Sequence, residues 1–362
     1  MEKFSELFQQ RVERYRQLAL KEGIEASLVL KPENRYYLSG FRGSAGFLVI
    51  DREKVFLLVD FRYVEQAREQ APGAEVVCSR RRQERDLSEF LLELGYRAVR
   101  IEEDGVTVKQ LRDWQEALGG KVELIPAEDL TLGLRAVKDP QEIEWMRRAA
   151  SIADQAFEQI LPRLAPGRRE QEIAAELEFI MRTLGAERAA FDIIVASGFR
   201  SALPHGAAGE KPLRPGELVI VDFGAVYRGY CSDCTRTLVM GEAMTPEQRA
   251  VCEIVREAQE TALRLLRPGG HTAEVDKAAR EVIQGHGYGD YFGHALGHGV
   301  GLEVHEGPVL SWQDGGVLEA GMVVTVEPAI YLPGWGGVRL EEMVLITETG
   351  CEILTRAPRL QF

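Results

Sequence analysis

The chain contains 362 residues, of which 45% are hydrophobic, enough apolar material for a sizeable core and about two domains. Its 44 basic and 57 acidic side chains give a net charge of −13, which argues against a nucleic-acid partner because phosphate binding needs a basic surface. No apolar stretch approaches the roughly 20 residues of a membrane-spanning helix, and the amphipathic start lacks the apolar core of a secretory signal. Five scattered cysteines favour free thiols, so we predict a cytoplasmic protein without a membrane partner.

Helical and strand patterns alternate through the first part of the chain. Apolar residues at helical spacing predict helices over residues 4–22, 61–70, 87–94 and 108–118. Short apolar runs predict strands over residues 26–30, 46–50, 55–59, 98–101 and 121–125. Asp139-Pro140 is a helix-start signal that follows a stretch of weak periodicity. We therefore predict an α/β domain at residues 1–133 and a second domain at residues 134–362.

The second domain is predicted to combine paired helices with antiparallel strands. Its helices are predicted at residues 140–161, 170–184, 246–266 and 272–285. Its strands are predicted at residues 217–227, 230–240, 322–329 and 338–346. The first two strands are separated only by Arg228-Gly229, a short turn. This combination is typical of an α+β domain.

Two acidic residues lie in the first predicted hairpin. Asp222 interrupts the apolar run 218–224, and Asp233 follows it by eleven residues on the partner strand. A turn at residues 227–228 would pair the acids directly, a turn at 228–229 would make them diagonal neighbours on one face, and a three-residue loop would separate them. Buried carboxylates need a salt bridge, a capping role or a cation between them.

The pattern recurs near the C-terminus, where Glu327 follows the apolar run 323–326 and Glu341 lies within 338–344. The glycine-rich stretch 333–337 supplies a turn between these two strands. One acid pair alone is more typical of a structural contact, but two pairs in one domain favour a cation site. We therefore predict that the four carboxylates form one site.

Three of the six histidines, His294, His298 and His305, lie in one glycine-rich segment. The spacing of the first two resembles that of a helical zinc motif, but the glutamate that this motif requires is absent, and the glycines disfavour a helix. A phosphate-binding loop is disfavoured because no lysine follows and no helix begins there. We predict an extended segment whose glycines allow close approach of another backbone.

Four carboxylates and one imidazole form a hard, oxygen-rich donor set. Such a set favours Mn²⁺ or Co²⁺, with Fe²⁺ or Zn²⁺ as alternatives, and its charge suffices for two divalent ions. Two ions roughly 3.5–4 Å apart can ionise a shared water near neutral pH and polarise a carbonyl, which predicts metal-assisted hydrolysis. The pair Cys231-x-x-Cys234 lacks a second pair and a helix start, so we interpret it as packing on a strand.

With these motifs, nearly the whole chain resembles the creatinase/aminopeptidase family with the pita-bread fold, and most closely its bacterial Xaa-Pro dipeptidases (prolidases) and aminopeptidase P. The segments that carry the resemblance are 221–224 (Val-Asp-Phe-Gly), 232–237 (Ser-Asp-Cys-Thr-Arg-Thr), 298–301 (His-Gly-Val-Gly), 327–328 (Glu-Pro) and 339–342 (Arg-Leu-Glu-Glu). Residues 34–41 resemble the N-terminal creatinase-type domain. The resemblance implies an α/β creatinase-like domain followed by an α+β pita-bread metallopeptidase domain.

The resemblance also implies a role for each candidate residue. The implied metal ligands are Asp222, Asp233, His298, Glu327 and Glu341, of which Asp233 and Glu341 would contact both ions. The implied catalytic residues are His205, His294, His305, Glu327 and Arg339, and the implied substrate contacts are His205, His294, His305, Tyr331 and Arg339. In such enzymes Glu327 would also shuttle a proton. The implied substrate is an Xaa-Pro di- or oligopeptide, and the implied assembly is a homodimer.

Several activities within this fold are open alternatives. Aminopeptidase P removes the first residue of longer Xaa-Pro peptides, but the short N-terminal domain and the absence of long inserts favour a dipeptidase. Methionine aminopeptidase shares the ligands, but the N-terminal domain makes it a weaker alternative. Creatinase-type amidinohydrolases use no metal, and non-catalytic binding modules of this fold have lost ligands, whereas all five ligand positions are filled here.

Overall fold

The computed structural model describes residues 2–21, 23–79, 83–313 and 315–359. Contacts divide the chain into two units, Met1–Arg135 and Ala136–Phe362. The predicted first helix ends at Glu22, which lies outside the described residues, as do Met1 and residues 360–362. Within the described ranges, every helix is too short or too polar to span a lipid bilayer.

The first unit is built on a mixed sheet that has six strands in the described residues. Its helices are α1 (Glu2–Lys21), α2 (Pro32–Ser39), α3 (Val64–Gln70), α4 (Gln83–Leu94), α5 (Val108–Leu118) and α6 (Thr131–Ala136). Its strands are β1 (Ala26–Val29), β2 (Phe47–Asp51), β3 (Val55–Asp60), β4 (Glu75–Ser79), β5 (Ala98–Glu102) and β6 (Glu123–Ala127). The strand order is β4-β3-β2-β1-β5-β6, with β2 antiparallel to both of its neighbours and the other pairs parallel.

The second unit combines helices with antiparallel sheets. Its helices are α7 (Pro140–Ile160), α8 (Glu170–Thr183), α9 (Pro246–Leu263) and α10 (Thr272–Gly285). Its strands are β7 (Arg188–Ala189), β8 (Ile194–Ser197), β9 (Leu218–Phe223), β10 (Ala225–Tyr227), β11 (Tyr230–Cys231), β12 (Cys234–Val239), β13 (Gly297–Gly299), β14 (Glu306–Leu310), β15 (Val323–Val326), β16 (Ala329–Leu332), β17 (Gly336–Arg339), β18 (Glu342–Ile346) and β19 (Cys351–Ile353). They form sheets in the orders β11-β10-β7, β12-β9-β8, β14-β13-β15-β18-β19 and β16-β17.

Two helix pairs cover the backs of these sheets. Helix α7 begins at the predicted position because the Asp139 carboxylate accepts hydrogen bonds from the first-turn N–H groups and Pro140 fits the first helical position. Phe157 of α7 stacks on Phe223 of β9, with ring centroids 4.9 Å apart. Helices α9 and α10 pack against β15 and β18 and enclose a hydrophobic core with them. The opposite faces of these strands are thereby free to carry polar side chains.

The first hairpin turns at Arg228-Gly229, where both residues have positive φ values of 52° and 83°. Thr235 therefore lies opposite Asp222, which is the second of the three registers considered from the sequence. The prediction of two continuous strands is wrong, because the ladder stops between β9 and β10 and again between β11 and β12. Gly224 lies at the first break, where an added Cβ would be 1.9 Å from a backbone oxygen of the partner strand.

The second hairpin has the same form. Val326 pairs with Glu342 and Ala329 pairs with Arg339, so the register continues across an interruption. The predicted continuous strands 322–329 and 338–346 are therefore also wrong in detail, since each divides in two. In both hairpins the acidic residues lie at or next to the interruption, where the backbone leaves the regular ladder.

Candidate metal centre

One cavity of about 500 Å³ in the second unit is lined by every residue selected from the sequence. These residues are His205, Asp222, Asp233, His294, His298, His305, Glu327, Tyr331, Arg339 and Glu341. They come from both hairpins, from the glycine-rich segment that includes β13, and from the segment that precedes β9. Chain folding therefore assembles a group that spans more than 130 positions of sequence.

Three of the proposed ligands form a tight group within this cavity. Asp233, His298 and Glu341 each offer one ligand atom, and these atoms all lie within 4.8 Å of one another. Nε2 of His298 also lies 3.4 Å from Oε1 of Glu327 and 3.7 Å from Oδ2 of Asp233. Atoms at these separations are close enough to share a cation placed between them.

The His298 ring is oriented by the backbone of the next residue. Nδ1 lies 3.1 Å from the carbonyl oxygen of Gly299, and because a carbonyl can only accept, this nitrogen carries the proton. Nε2 is then free to point its lone pair into the carboxylate group, as a metal-ligating histidine requires. Burial alone would lower the pKa of His298, but contact with Glu327 raises it.

Asp222 contributes an oxygen that has no hydrogen-bond partner. Its Oδ2 accepts a hydrogen bond of 2.5 Å from Nη2 of Arg339, whereas Oδ1 is buried and unpaired. Buried carboxylate oxygens are normally satisfied, so an unpaired one on a residue that lines the cavity is suited to a cation. The donors present thus fit a hard divalent ion.

Electrostatic repulsion among the acids supports the same interpretation. Burial, reinforced by the neighbouring carboxylates, raises the pKa of Asp233 and Glu341 well above their ordinary values. Burial also raises the pKa of Asp222. For Glu327 burial acts in the same direction, but the contact with His298 outweighs it and lowers the pKa. Divalent cations would remove the mutual repulsion that keeps protons on this group.

Tyr331, Arg339 and His294 form a connected chain at one side of the cavity. Nη1 of Arg339 donates to the Tyr331 hydroxyl over 2.7 Å, and that hydroxyl lies 3.3 Å from Nε2 of His294. Nδ1 of His294 lies 2.8 Å from the carbonyl oxygen of Ala295 and must donate, so Nε2 accepts a hydrogen bond from the Tyr331 hydroxyl. Burial lowers the pKa of His294 and raises that of Tyr331 to about 12, which keeps both side chains neutral.

His205 and His305 lie at the more exposed side of the cavity. The ring of His305 packs edge-on against that of His298, with centroids 4.3 Å apart. Burial, followed by the charge of His298, lowers the pKa of His305. These two imidazoles are placed where an incoming ligand would meet them.

The glycine-rich segment is extended, as the sequence predicts. A Cβ on Gly297 would be 2.0 Å from the carbonyl oxygen of Thr325, and one on Gly299 would be 2.1 Å from that of Gly307. The close approach is therefore between neighbouring strands of the same sheet. It brings His298, between the two glycines, next to the end of β15.

Sequence reasoning assigned no role to two threonines that contact the acids. Thr235 donates to Oε2 of Glu341 over 2.8 Å, and Thr325 lies 3.4 Å from Oε1 of Glu327. Each threonine is two positions away from an acid on its own chain, Asp233 or Glu327, and therefore shares its strand face. A threonine two positions from an acid in an otherwise apolar strand could therefore have been predicted to contact the site.

The two neighbouring cysteines are buried and form no disulfide. Burial raises the pKa of Cys231 to about 12 and raises that of Cys234. Their sulfurs lie 3.8 Å from the carbonyl oxygens of Leu302 and Glu341, respectively. Protonated, enclosed thiols agree with the packing role predicted from the sequence.

Two protein families match this chain. Residues 144–348 match metallopeptidase family M24, and residues 11–137 match the creatinase/prolidase N-terminal domain. The chain belongs to metallopeptidase family M24. The predicted family, the fold with a creatinase-like unit and a pita-bread catalytic unit, and the enzyme class are thus confirmed. This M24 enzyme is metal-dependent and acts on peptides.

Among the proteins similar to this chain, some are named Xaa-Pro dipeptidase and one is named X-Pro aminopeptidase. An Xaa-Pro dipeptidase of Pyrococcus furiosus is 40% identical over 351 residues, which cover 97% of this chain and 99% of the relative. The solved structure of an Xaa-Pro dipeptidase from Bacillus anthracis is 42% identical, with a TM-score of 0.94 and coverage of 98% and 99% of the two chains. The structure of an X-Pro aminopeptidase from Thermotoga maritima MSB8 is also 42% identical, with a TM-score of 0.89 and coverage of 97% and 99%.

Proposed function

We propose that this M24 peptidase hydrolyses the Xaa-Pro bond of dipeptides. The observation that carries the proposal is the buried carboxylate group around the unpaired Oδ1 of Asp222, in a cavity that also presents four histidines and an arginine. The proposed ligands of two divalent ions, Mn²⁺ or Co²⁺ with Zn²⁺ or Fe²⁺ as alternatives, are Asp222, Asp233, His298, Glu327 and Glu341. Bound ions would supply an activated water and polarise the scissile carbonyl.

The side chains of the cavity would position the peptide and move protons. His205 and His305, at the exposed side, would hydrogen-bond the reacting amide and its neighbouring groups. His294 and Tyr331, connected through Arg339, would fix the remaining polar groups of the substrate. Glu327, whose pKa lies below its ordinary value despite burial, would be ionised, so it could accept a proton from the attacking water and deliver that proton to the leaving nitrogen.

A dedicated site is required by the chemistry of the bond before proline. This bond is a tertiary amide without an N–H, and proline locks φ, so enzymes that recognise an extended backbone bind it poorly. A cavity that fixes the imino ring beside the reacting groups overcomes this difficulty by orientation. The cavity volume of about 500 Å³ is in the range of small-molecule sites and suits a dipeptide.

Aminopeptidase P activity is the second candidate, favoured by the 42% identity to a protein named X-Pro aminopeptidase. The two activities differ in whether the site accepts residues beyond proline. A homodimer and a cytoplasmic location are also proposed, the latter because all five cysteines are free.

A substrate comparison tests the proposed activity. We expect kcat/KM for Met-Pro to exceed that for Met-Pro-Gly by about tenfold or more, because the site is proposed to end at the proline. Met-Ala is the control, since it has the same length but a secondary amide. A higher kcat/KM for the tripeptide would assign aminopeptidase P activity instead, and preferred cleavage of Met-Ala would contradict both.

Metal removal tests the proposed cofactor. Exhaustive chelation should abolish Met-Pro hydrolysis, and Mn²⁺ or Co²⁺ should restore it, because the carboxylates alone provide no activated water. Bound metal measured on the same sample should approach two ions per chain. Full activity in metal-free protein would refute the proposal, and a single bound ion at full activity would refute the dinuclear form.

A further inference from the structure

Gln259 on α9 is a polar side chain in an apolar core, with 1% of its surface exposed. Its Nε2 donates to the carbonyl oxygen of Leu340 over 2.8 Å and to that of Val326 over 3.1 Å. These two carbonyls directly precede Glu341 and Glu327 in the chain. The Gln259 amide group therefore contacts both strands of the second hairpin, next to Glu327 on one strand and next to Glu341 on the other.

Within the part of the chain that the structure describes, the Leu340 carbonyl lacks a donor from the opposite strand for a specific reason. The register places Pro328 opposite Leu340, and the N–H of Leu340 lies 3.4 Å from the Pro328 carbonyl oxygen. Residues in such an antiparallel pair normally exchange two hydrogen bonds. Proline has no N–H, so the return bond to the Leu340 carbonyl does not form. The Nε2–H group of Gln259 supplies a donor to that same oxygen.

The backbone of each acid is directed away from the partner strand. The N–H of Glu327 donates to Leu296 over 2.8 Å, and that of Glu341 donates to Thr235 over 3.1 Å. Neither of these bonds joins the two acidic residues across the hairpin. Glu327 and Glu341 therefore form a non-hydrogen-bonded pair, and the Gln259 bridge joins the two strands across it, beside the Leu340–Pro328 pair, which has only one backbone hydrogen bond.

We propose that Gln259 is a positioning residue of the metal centre, replacing the hydrogen-bond donor that Pro328 lacks and thereby fixing the separation of Glu327 and Glu341. The inference rests on the proposed function, because it treats both acids as metal ligands. Residues that orient ligands in this way affect metal affinity without contacting the ion. Because a primary amide has two N–H donors, Gln259 can satisfy both carbonyls at once.

The first test measures Mn²⁺ affinity by calorimetry on the full-length, metal-stripped chain. Gln259→Met keeps an unbranched side chain of similar size but removes both donors, and we expect it to weaken Mn²⁺ binding by about 10–100-fold. Gln248→Met is the matched control on the same helix, since the Gln248 amide also donates to a backbone carbonyl, that of the half-buried Gly216, over 2.9 Å. The control should lower the midpoint of thermal unfolding while leaving the Mn²⁺ dissociation constant unchanged.

A rescue experiment separates positioning from a general packing role. Pro328→Ala restores a backbone N–H opposite Leu340, so Gln259→Met should weaken Mn²⁺ binding less when combined with Pro328→Ala than in the native background. Equal weakening in both backgrounds would overturn the donor-replacement argument. If the single Gln259→Met protein does not fold, the double variant decides: a folded protein with near-native Mn²⁺ affinity supports the proposal, and a second failure to fold contradicts it.

The outcomes also distinguish this inference from the proposed function. Failure of the native chain to bind Mn²⁺, Co²⁺, Zn²⁺ or Fe²⁺ would remove the metal centre itself. Normal binding by the native chain together with unchanged affinity in Gln259→Met would refute only the role of Gln259.

Discussion

At the scale of single residues, Asp222 combines two requirements that rarely coincide. One carboxylate oxygen is fixed by Arg339, and the other is buried without a partner. An unsatisfied buried acceptor costs about 1–3 kcal/mol, which a folded chain tolerates where a ligand compensates. The two oxygens thus divide into one that holds the side chain in position and one that is available to a cation.

Replacing Asp222 with Asn tests this division. Asp222→Asn keeps the size of the side chain but removes its charge, so we expect loss of metal from the centre and a fall in kcat of at least about 1,000-fold. Metal content by mass spectrometry and the circular dichroism spectrum would be measured together. Asp192→Asn, which changes an exposed carboxylate at the same cavity, is the control and should retain its metal. Near-native turnover by Asp222→Asn would exclude Asp222 as a ligand.

At the scale of elements, the hairpins were predictable in outline and their interruptions were not. The turn at Arg228-Gly229 and the spacing of the acids follow from local sequence. The break at Gly224 depends on a backbone oxygen contributed by the partner strand, and that oxygen has no local signal. Pro328 does signal a break, because it lacks the N–H that a ladder needs. Long-range contacts therefore account for most of what the sequence left open.

In the site, too, residues with a local sequence signal were predicted, and residues whose role depends on long-range packing were not. All ten predicted residues line the cavity. The four acids and three of the histidines were marked by an apolar or glycine-rich context, whereas His205, Tyr331 and Arg339 were identified only through the family resemblance. Gln259 was missed because an isolated glutamine in a helical pattern resembles a solvent-exposed residue, and its burial arises only when α9 packs on the second hairpin. Helix α2 was missed for another reason, since its apolar periodicity is weak over only eight residues.

The segment that carries His205 is held by an ion pair outside the cavity. Arg200 donates to the Ala207 carbonyl over 2.6 Å and pairs with Glu170 at 3.0 Å. Glu170 lies at the start of α8 with no exposed side-chain surface, and it also accepts the N–H of Gly209 over 3.2 Å. One ion pair therefore fixes the chain on the C-terminal side of His205.

Removing that ion pair should affect catalysis more than metal binding. Arg200→Met is expected to lower kcat/KM for Met-Pro by about 10–100-fold, because small displacements of a reacting group have large effects on rate. Bound metal should be unchanged, since His205 is not a proposed ligand. The control is Arg182→Met, which removes an exposed ion pair between Arg182 and Glu178, both of which lie on α8. Native kcat/KM in Arg200→Met, or a loss that parallels loss of metal, would contradict this role.

At the scale of the whole molecule, the end of the described chain supports the back of the metal-centre strands. Arg236, next to Thr235 on β12, pairs with Glu342 at 3.0 Å and donates to the Ala357 carbonyl. The Asp154 carboxylate of α7 accepts the N–H groups of Arg356 and Ala357 over 2.8 and 2.7 Å. The closing segment thus connects α7 to β12 and β18, the two strands that begin directly after the proposed ligands Asp233 and Glu341.

Asp154 should make stability depend on pH in a defined direction. Burial raises its pKa to about 6 from an ordinary value near 3.8. Below about pH 3 the carboxyl is protonated in both folded and unfolded chains, so its full contribution to stability is present there. As the pH rises through 6, the folded state must release a proton that it holds more tightly than the unfolded state does. The contribution should therefore fall by about 2 kcal/mol between pH 4 and pH 7.

Comparison with Asp154→Asn isolates this effect from the other titrating groups. The asparagine variant loses one of two acceptors at every pH, but it cannot titrate, so only the native protein should lose stability relative to it as the pH rises from 4 to 7. Urea unfolding of both proteins at several pH values measures the difference in free energy of unfolding. Asp290→Asn, at an exposed position of the same unit, should maintain a constant difference from the native protein. A constant difference for Asp154→Asn as well would show that burial does not raise the pKa of this carboxyl.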